Sequence, residues 1–140
     1  MICSEIMTKD PECCLPSDSV MKAAQLMKSE DVGPIPIVDD KDGKRLAGIV
    51  TDRDLAIKVV AEARDPKTTV IEEVMSEGLV TCRESDDVQT VLKLMQDNQI
   101  RRIPVVDKKD QLVGIIAQAD VATRLGQTGA TGEVVEQISA

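Results

Sequence analysis

The sequence contains no histidine, phenylalanine, tryptophan or tyrosine. Without imidazole there is no Ser-His or Cys-His pair and no His metal ligand. Without aromatic rings nothing stacks on a base or a sugar. Most hydrolytic chemistry and most binding of single-stranded nucleic acid are therefore disfavoured. Long hydrophobic runs are missing too: Leu112 to Ala117 falls far short of the ~20 residues that span a bilayer. Met1 to Asp10 holds acids and no long apolar stretch, so no secretory signal is expected. Excess positive charge is also lacking. The net charge of −8 argues against a nucleic-acid binder that relies on an overall basic field.

What is present is enough for a core. Apolar residues make up 42% of 140 residues, which suits one compact domain or two small repeats sharing a core. A cytoplasmic, reducing location is the default expectation. The four cysteines, Cys3, Cys13, Cys14 and Cys82, are then read as free thiols rather than a disulfide framework.

An internal repeat organises most of the chain. Residues 7–39 match residues 75–107 at a constant offset of 68. Met7 pairs with Met75, Cys14 with Cys82, Leu26-Met27 with Leu94-Met95, and Ile35-Pro36 with Ile103-Pro104. After a polar turn two residues shorter in the second copy, the offset becomes 66. Gly48-Ile49 then meets Gly114-Ile115, and Asp54 meets Asp120. A length change confined to a polar turn is what a surface-loop deletion looks like.

Each copy reads as β-α-β-β-α. Val20, Ala23, Ala24 and Met27 fall on one helical face, and Val88, Val91, Leu92 and Met95 repeat the spacing. Ser17-Asp18 and Ser85-Asp86 stand where helix N-caps are expected. Two apolar runs follow, Ile35 to Val38 and Leu46 to Val50, with Ile103 to Val106 and Leu112 to Ile116 in the second copy. A second helix is expected from Thr51 towards Ala63, and its counterpart from near Gln118. The expected boundaries are 5–63 and 74–125 for the copies, 64–73 for a linker, and 126–140 for a flexible tail in which Val134, Val135 and Ile138 form one apolar turn. A ~60-residue unit buries little surface alone, so the copies are expected to pack face to face.

A tandem repeat of this order, carrying Gly48-Ile49-Val50-Thr51-Asp52-Arg53-Asp54, Ile35-Pro36-Ile37-Val38-Asp39, Arg101-Arg102-Ile103-Pro104-Val105-Val106-Asp107 and Gly114-Ile115-Ile116, resembles the cystathionine β-synthase (CBS) domain pair, or Bateman module. The resemblance spans roughly residues 5–125 and extends to small stand-alone bacterial members. It implies an α/β (α+β) fold of two pseudo-symmetric repeats forming one CBS pair. It also implies a regulatory, non-catalytic sensor of AMP, ADP, ATP or S-adenosylmethionine, bound in two clefts between the repeats. By the same resemblance the motif Asp accepts from the ribose hydroxyls, the motif Thr faces the ribose-phosphate end, and basic residues of the other copy meet the phosphates.

Carried onto this chain, the first cleft takes Ile49, Val50, Thr51, Arg53 and Asp54, completed by Val80, Arg101 and Arg102. The second takes Ile115, Ile116 and Asp120, closed by Glu12, Gly33 and Pro34. The elementary chemistry agrees. A carboxylate is a good acceptor for a cis-diol, a helix N-terminus favours an anion, and paired guanidinium groups suit phosphate. The second cleft is expected to be the weaker, because Ala117 and Ala119 replace Thr and Arg, Gly-Pro replaces the Arg pair, nothing obvious neutralises a phosphate, and Glu12 would repel one. No metal site or required cofactor is expected. A homodimer is, through apolar positions Leu55, Ile57 and Val59 of the second helix.

Plainer readings of the same residues stand beside these. Thr51-x-x-Asp54 is a capping-box pattern whatever it binds, and Asp120 is also read as a cap or ion-pair partner. Arg101-Arg102 in isolation reads as solvated surface, and Met27 and Met95 read as core filling. Cys14 and Cys82 occupy matching strand positions and read as packing. The alternatives to a sensor are a dimeric interaction module with an idle site, or a thiol- or metal-responsive protein.

Overall fold

The computed structural model describes residues 1–126; the rest of the expected tail, with Val134, Val135 and Ile138, lies outside the described residues. A short 3-10 turn, Cys3–Glu5, leads into β1 (Thr8–Lys9), α1 (Val20–Glu30), β2 (Pro34–Val38) and β3 (Leu46–Thr51). Then come α2 (Asp52–Leu55), a π-helical turn (Ala56–Val60) and a second 3-10 turn (Ile71–Glu73). The second copy supplies β4 (Cys82–Arg83), α3 (Val88–Asn98), β5 (Arg102–Val106), β6 (Leu112–Ala117) and α4 (Gln118–Gly126). This is the mixed α/β class expected from the repeat.

The chain folds into two compact units, and they exchange their first segments. Glu12–Leu79 forms one; Met1–Pro11 joins Val80 onward in the other. The stretch 64–73 read as a linker is built into the first of these. There Val20 N–H donates to Thr69 O at 2.9 Å and Ile71 is fully buried.

Each unit has the same strand plan. In the Met1–Pro11/Val80-onward unit the order is β1-β6-β5-β4, with Thr8 opposite Ile115 and β4 parallel to β5. In the Glu12–Leu79 unit, β2 and β3 form the hairpin, and single bridges at Cys14–Ile37 and Ile49–Ser76 stand where the outer strands would be. Both hairpins carry a register irregularity at the matching place, Ile37/Val38 and Val105/Val106. Left-handed backbone also recurs at matched positions: Asp10 with Gly78, Asp31 with Gln99, and Lys44 with Asp110. All but one of the periodic apolar positions fill the cores; Ala24 is half-buried and outside them. Val20, Ala23 and Met27 face one cluster, and Val88, Val91, Leu92 and Met95 the other.

Three local expectations are corrected. The helix caps fall one or two residues later than read: Ser19 accepts from Lys22 N–H, and Asp87 from Gln89 N–H. Asp18 and Asp86 instead hold the turn before each helix, accepting from Leu15 N–H and Arg83 N–H, both at 2.8 Å. The second helix of the first copy keeps α geometry for only one turn before widening, with Ala61 N–H donating to Ala56 O and Arg64 N–H to Val59 O. This turn sends Val59 into the core at 2% exposure and leaves Val60 at 75%. Leu55 packs against the same core. Of the three apolar positions expected to need cover, Ile57 alone stays open, at 47%.

Candidate functional site

β3 delivers Gly48-Ile49-Val50-Thr51 to the start of α2. Thr51 is extended, and its Oγ1 accepts the Asp54 N–H at 3.1 Å, while Asp54 Oδ2 accepts the Thr51 N–H at 2.9 Å. The reciprocal pair is a capping box, so the plain reading of this motif is realised. The second carboxylate oxygen lies 3.4 Å from Lys58 Nζ, which donates to Val74 O at 3.0 Å. The Asp54 side chain is 17% exposed. An ionised carboxylate offers about four acceptor sites, so capping and one ion pair leave capacity for a diol.

Around this acid, Val50 is buried, Ile49 half-buried and Arg53 exposed. Pro34 pairs across the hairpin with Thr51, and Asp52 N–H donates to Gly33 O at 3.0 Å. Glu12 is exposed. Gly48 serves a close approach of backbone: a Cβ there would lie 2.7 Å from Ser76 O and 2.9 Å from Met75 Sδ.

The second motif ends differently. Ala117 has no side-chain acceptor, and Asp120 stands exposed in the first turn of α4, with Ile116 buried and Ile115 half-buried beneath it. An open depression of about 340 Å³ lies beside Asp120, lined by Glu5, Ile6, Met7, Thr8, Thr123 and Arg124. Arg124 Nη1 donates to Glu5 O at 3.3 Å. Arg124 and Asp120 thus line the same depression. In the same unit Arg102 pairs across the sheet with Ala117, and Gln118 N–H donates to Arg101 O at 2.8 Å. Both arginines are exposed, and Val80 is half-buried against that unit's core.

Each unit thus gathers an acid with its own neighbours. Ile49, Val50, Thr51, Arg53 and Asp54 share one unit with Gly33, Pro34 and Glu12; Ile115, Ile116 and Asp120 share the other with Val80, Arg101 and Arg102. Sequence reasoning missed Lys58 and Arg124. The signal was there: each is basic and stands four residues after its motif acid, the spacing that places side chains together on a helix.

The four cysteines are free and buried. Burial pushes the Cys3, Cys14 and Cys82 thiols above their ordinary range. Burial also pushes the Asp18 carboxyl up, but the Leu15 N–H bond and the Lys22 ammonium together hold it below its usual value.

A family model described as the CBS domain matches residues 3–61 and 71–126. CBS domain-containing protein YhcV of Bacillus subtilis is 37% identical over 135 residues, covering 96% of this chain and 93% of its own length. The CBS domain pair of MJ0100, solved with 5-methylthioadenosine and S-adenosyl-L-methionine, superposes with a TM-score of 0.80 at 31% identity, over 91% of this chain and 98% of that one. CBSX2 in complex with AMP gives 0.78 at 26% identity, with the same coverage of 91% and 98%. With two family-model matches on the two copies and a relative 37% identical over nearly the whole length, the chain belongs to the CBS-domain family.

Proposed function

We propose that this protein is a regulatory, non-catalytic module of the cytoplasm that binds an adenosine nucleotide of the AMP, ADP or ATP type. S-adenosylmethionine is the other adenosyl ligand to test. Ile49, Val50, Thr51, Arg53 and Asp54 would hold the nucleoside, with Val80, Arg101 and Arg102 serving the phosphate end. Ile115, Ile116 and Asp120, with Glu12, Gly33 and Pro34, would form a weaker second site. Arg124 lines the same depression as Asp120 and would narrow the expected gap between the two. Binding shifts the arrangement of copies or protomers only if the ligand prefers one arrangement. A homodimer through the exposed Ile57 and Val60 is part of the proposal.

One observation carries this reading. The Asp54 carboxylate is fixed by the Thr51 capping box at a helix start while retaining acceptor capacity, and two solved relatives hold adenosyl ligands. The idle-site reading has its own support, since Lys58 already faces the second Asp54 oxygen. A thermal shift with AMP, ADP, ATP and S-adenosylmethionine separates the two. A ligand at a hundredfold excess over its Kd stabilises by about 2.7 kcal/mol. Asp54→Asn keeps a capping acceptor and so tests the ligand rather than the helix. A shift in wild type that is lost in the variant supports the sensor. No shift with any ligand in either protein favours the interaction module.

A further inference from the structure

The exchange of first segments brings two of the four cysteines together. Cys3 is fully buried and Cys82 is 4% exposed, both in one core cluster. The two side chains are near enough for each to affect the other's ionisation. Both backbones are pinned in place: Cys3 N–H donates to Asp86 O at 2.9 Å, Ser4 N–H to Glu84 O at 3.0 Å, and β4 pairs with β5.

The other unit provides an internal control. At the repeat offset, Cys14 occupies the Cys82 position and Ile71 the Cys3 position. These two are also fully buried in one cluster, but there one of the pair is a hydrocarbon. The same packing holds a dithiol in one unit and not in the other.

We infer that Cys3 and Cys82 are a covalent modification site, a reversible dithiol–disulfide couple that joins the first turn of the chain to β4. The oxidant is a small disulfide of the glutathione type. Cys3 loses its proton, its thiolate attacks one sulfur of the oxidant, and a mixed disulfide forms as one small thiolate leaves. The Cys82 thiolate then attacks Cys3 Sγ; the protein S–S bond forms and the second small thiolate leaves. Two protein thiols are oxidised, the oxidant disulfide is reduced to two thiols, and the two cysteine protons end on them.

Burial keeps exchange slow in the closed form, so the rate follows opening of the chain start, where Met1 and Ile2 are 45% and 42% exposed. Because Glu5 to Thr8 line the Asp120 depression, the bond would also stiffen that wall. That last consequence rests on the ligand reading above; the bond itself does not.

The test uses the full chain, equilibrated across a series of oxidised and reduced glutathione, alkylated and cut with trypsin. Fragments 1–9, 10–22 and 68–83 separate Cys3 from Cys13 and Cys14, and both from Cys82. The expected result is 1–9 joined to 68–83 with two hydrogens lost, and a Tm raised by roughly 5–12 °C over the reduced protein. Ile71→Cys should add a second bridge, from 10–22 to 68–83. Four alkylated thiols in the most oxidising buffer, or a bridge from 1–9 to 10–22, would overturn the inference. Should Ile71→Cys fail to fold, the wild-type peptide map alone decides.

Discussion

In the Glu12–Leu79 unit the outer strands are reduced to single bridges at Cys14 and Ser76, yet the helix after β3 is fully capped by Thr51 and Asp54. The other unit has the reverse balance: its outer strands are paired at Thr8–Lys9 and Cys82–Arg83, but Ala117 leaves the start of α4 without a side-chain acceptor. The backbone path is shared, down to matched left-handed residues. Local chemistry therefore differs on a shared path, and the start of the helix after each hairpin is one place where it differs. Lys58 and Arg124 sharpen the point. Lys58 reaches Val74 O, just past one 3-10 turn, and Arg124 reaches Glu5 O, the last residue of the other.

The largest test of this balance is at the motif glycines. Gly48→Ala sets a methyl against the Ser76 carbonyl, which the bridge to Ile49 holds still, and should destabilise by about 2–3 kcal/mol in denaturant unfolding. Gly114→Ala should cost only about half as much. Its nearest neighbour, at 2.6 Å, is the thioether of Met7, a flexible side chain that is able to move. Equal losses would mean that the two segments are held with equal firmness. Next comes Thr51→Ala, expected to remove about 1 kcal/mol with the cap. Ala117→Thr should add about 0.5 kcal/mol and strengthen any adenosine binding at Asp120, read by thermal shift and titration. The smallest effect is in acid. The Asp18 carboxyl is held below its ordinary value in the folded state, so its contribution is present above a pH of about 4 and fades as pH falls through the folded value. The stability gap between wild type and Asp18→Asn should therefore shrink below that pH in unfolding curves taken from pH 6 downward.

Much of this was readable from residues alone. The period-3.6 runs at Val20 and Val88 and the paired apolar runs marked helices and hairpins, because burial on one face imposes those spacings. The repeat offset equated Met7 with Met75 and so showed that the two segments play the same part. It could not say which unit each joins, since that depends on pairing between residues far apart in the chain. The cap positions were misread because Asp18 and Asp86 also satisfy local backbone, as short acids before a helix often do. The π turn left no local mark; it follows from where Val59 finds its core. Asp54 and its Thr were legible as a pattern, whereas Lys58 lay one turn past the point where the motif stops, as Arg124 lies one turn past Asp120.

The crossing of the two opening segments sets an order of assembly. Thr8 and Lys9 find their partners at Ile115 and Gly114, more than 100 residues later in synthesis. During translation the Glu12–Leu79 stretch can close as soon as it leaves the ribosome, while the first eleven residues wait, unpaired, for almost the whole chain. The waiting segment carries Cys3, Ile6 and Met7, all bound for the interior or its margin. Glu5, Lys9 and Asp10 place charge beside those apolar side chains, as gatekeeper residues do.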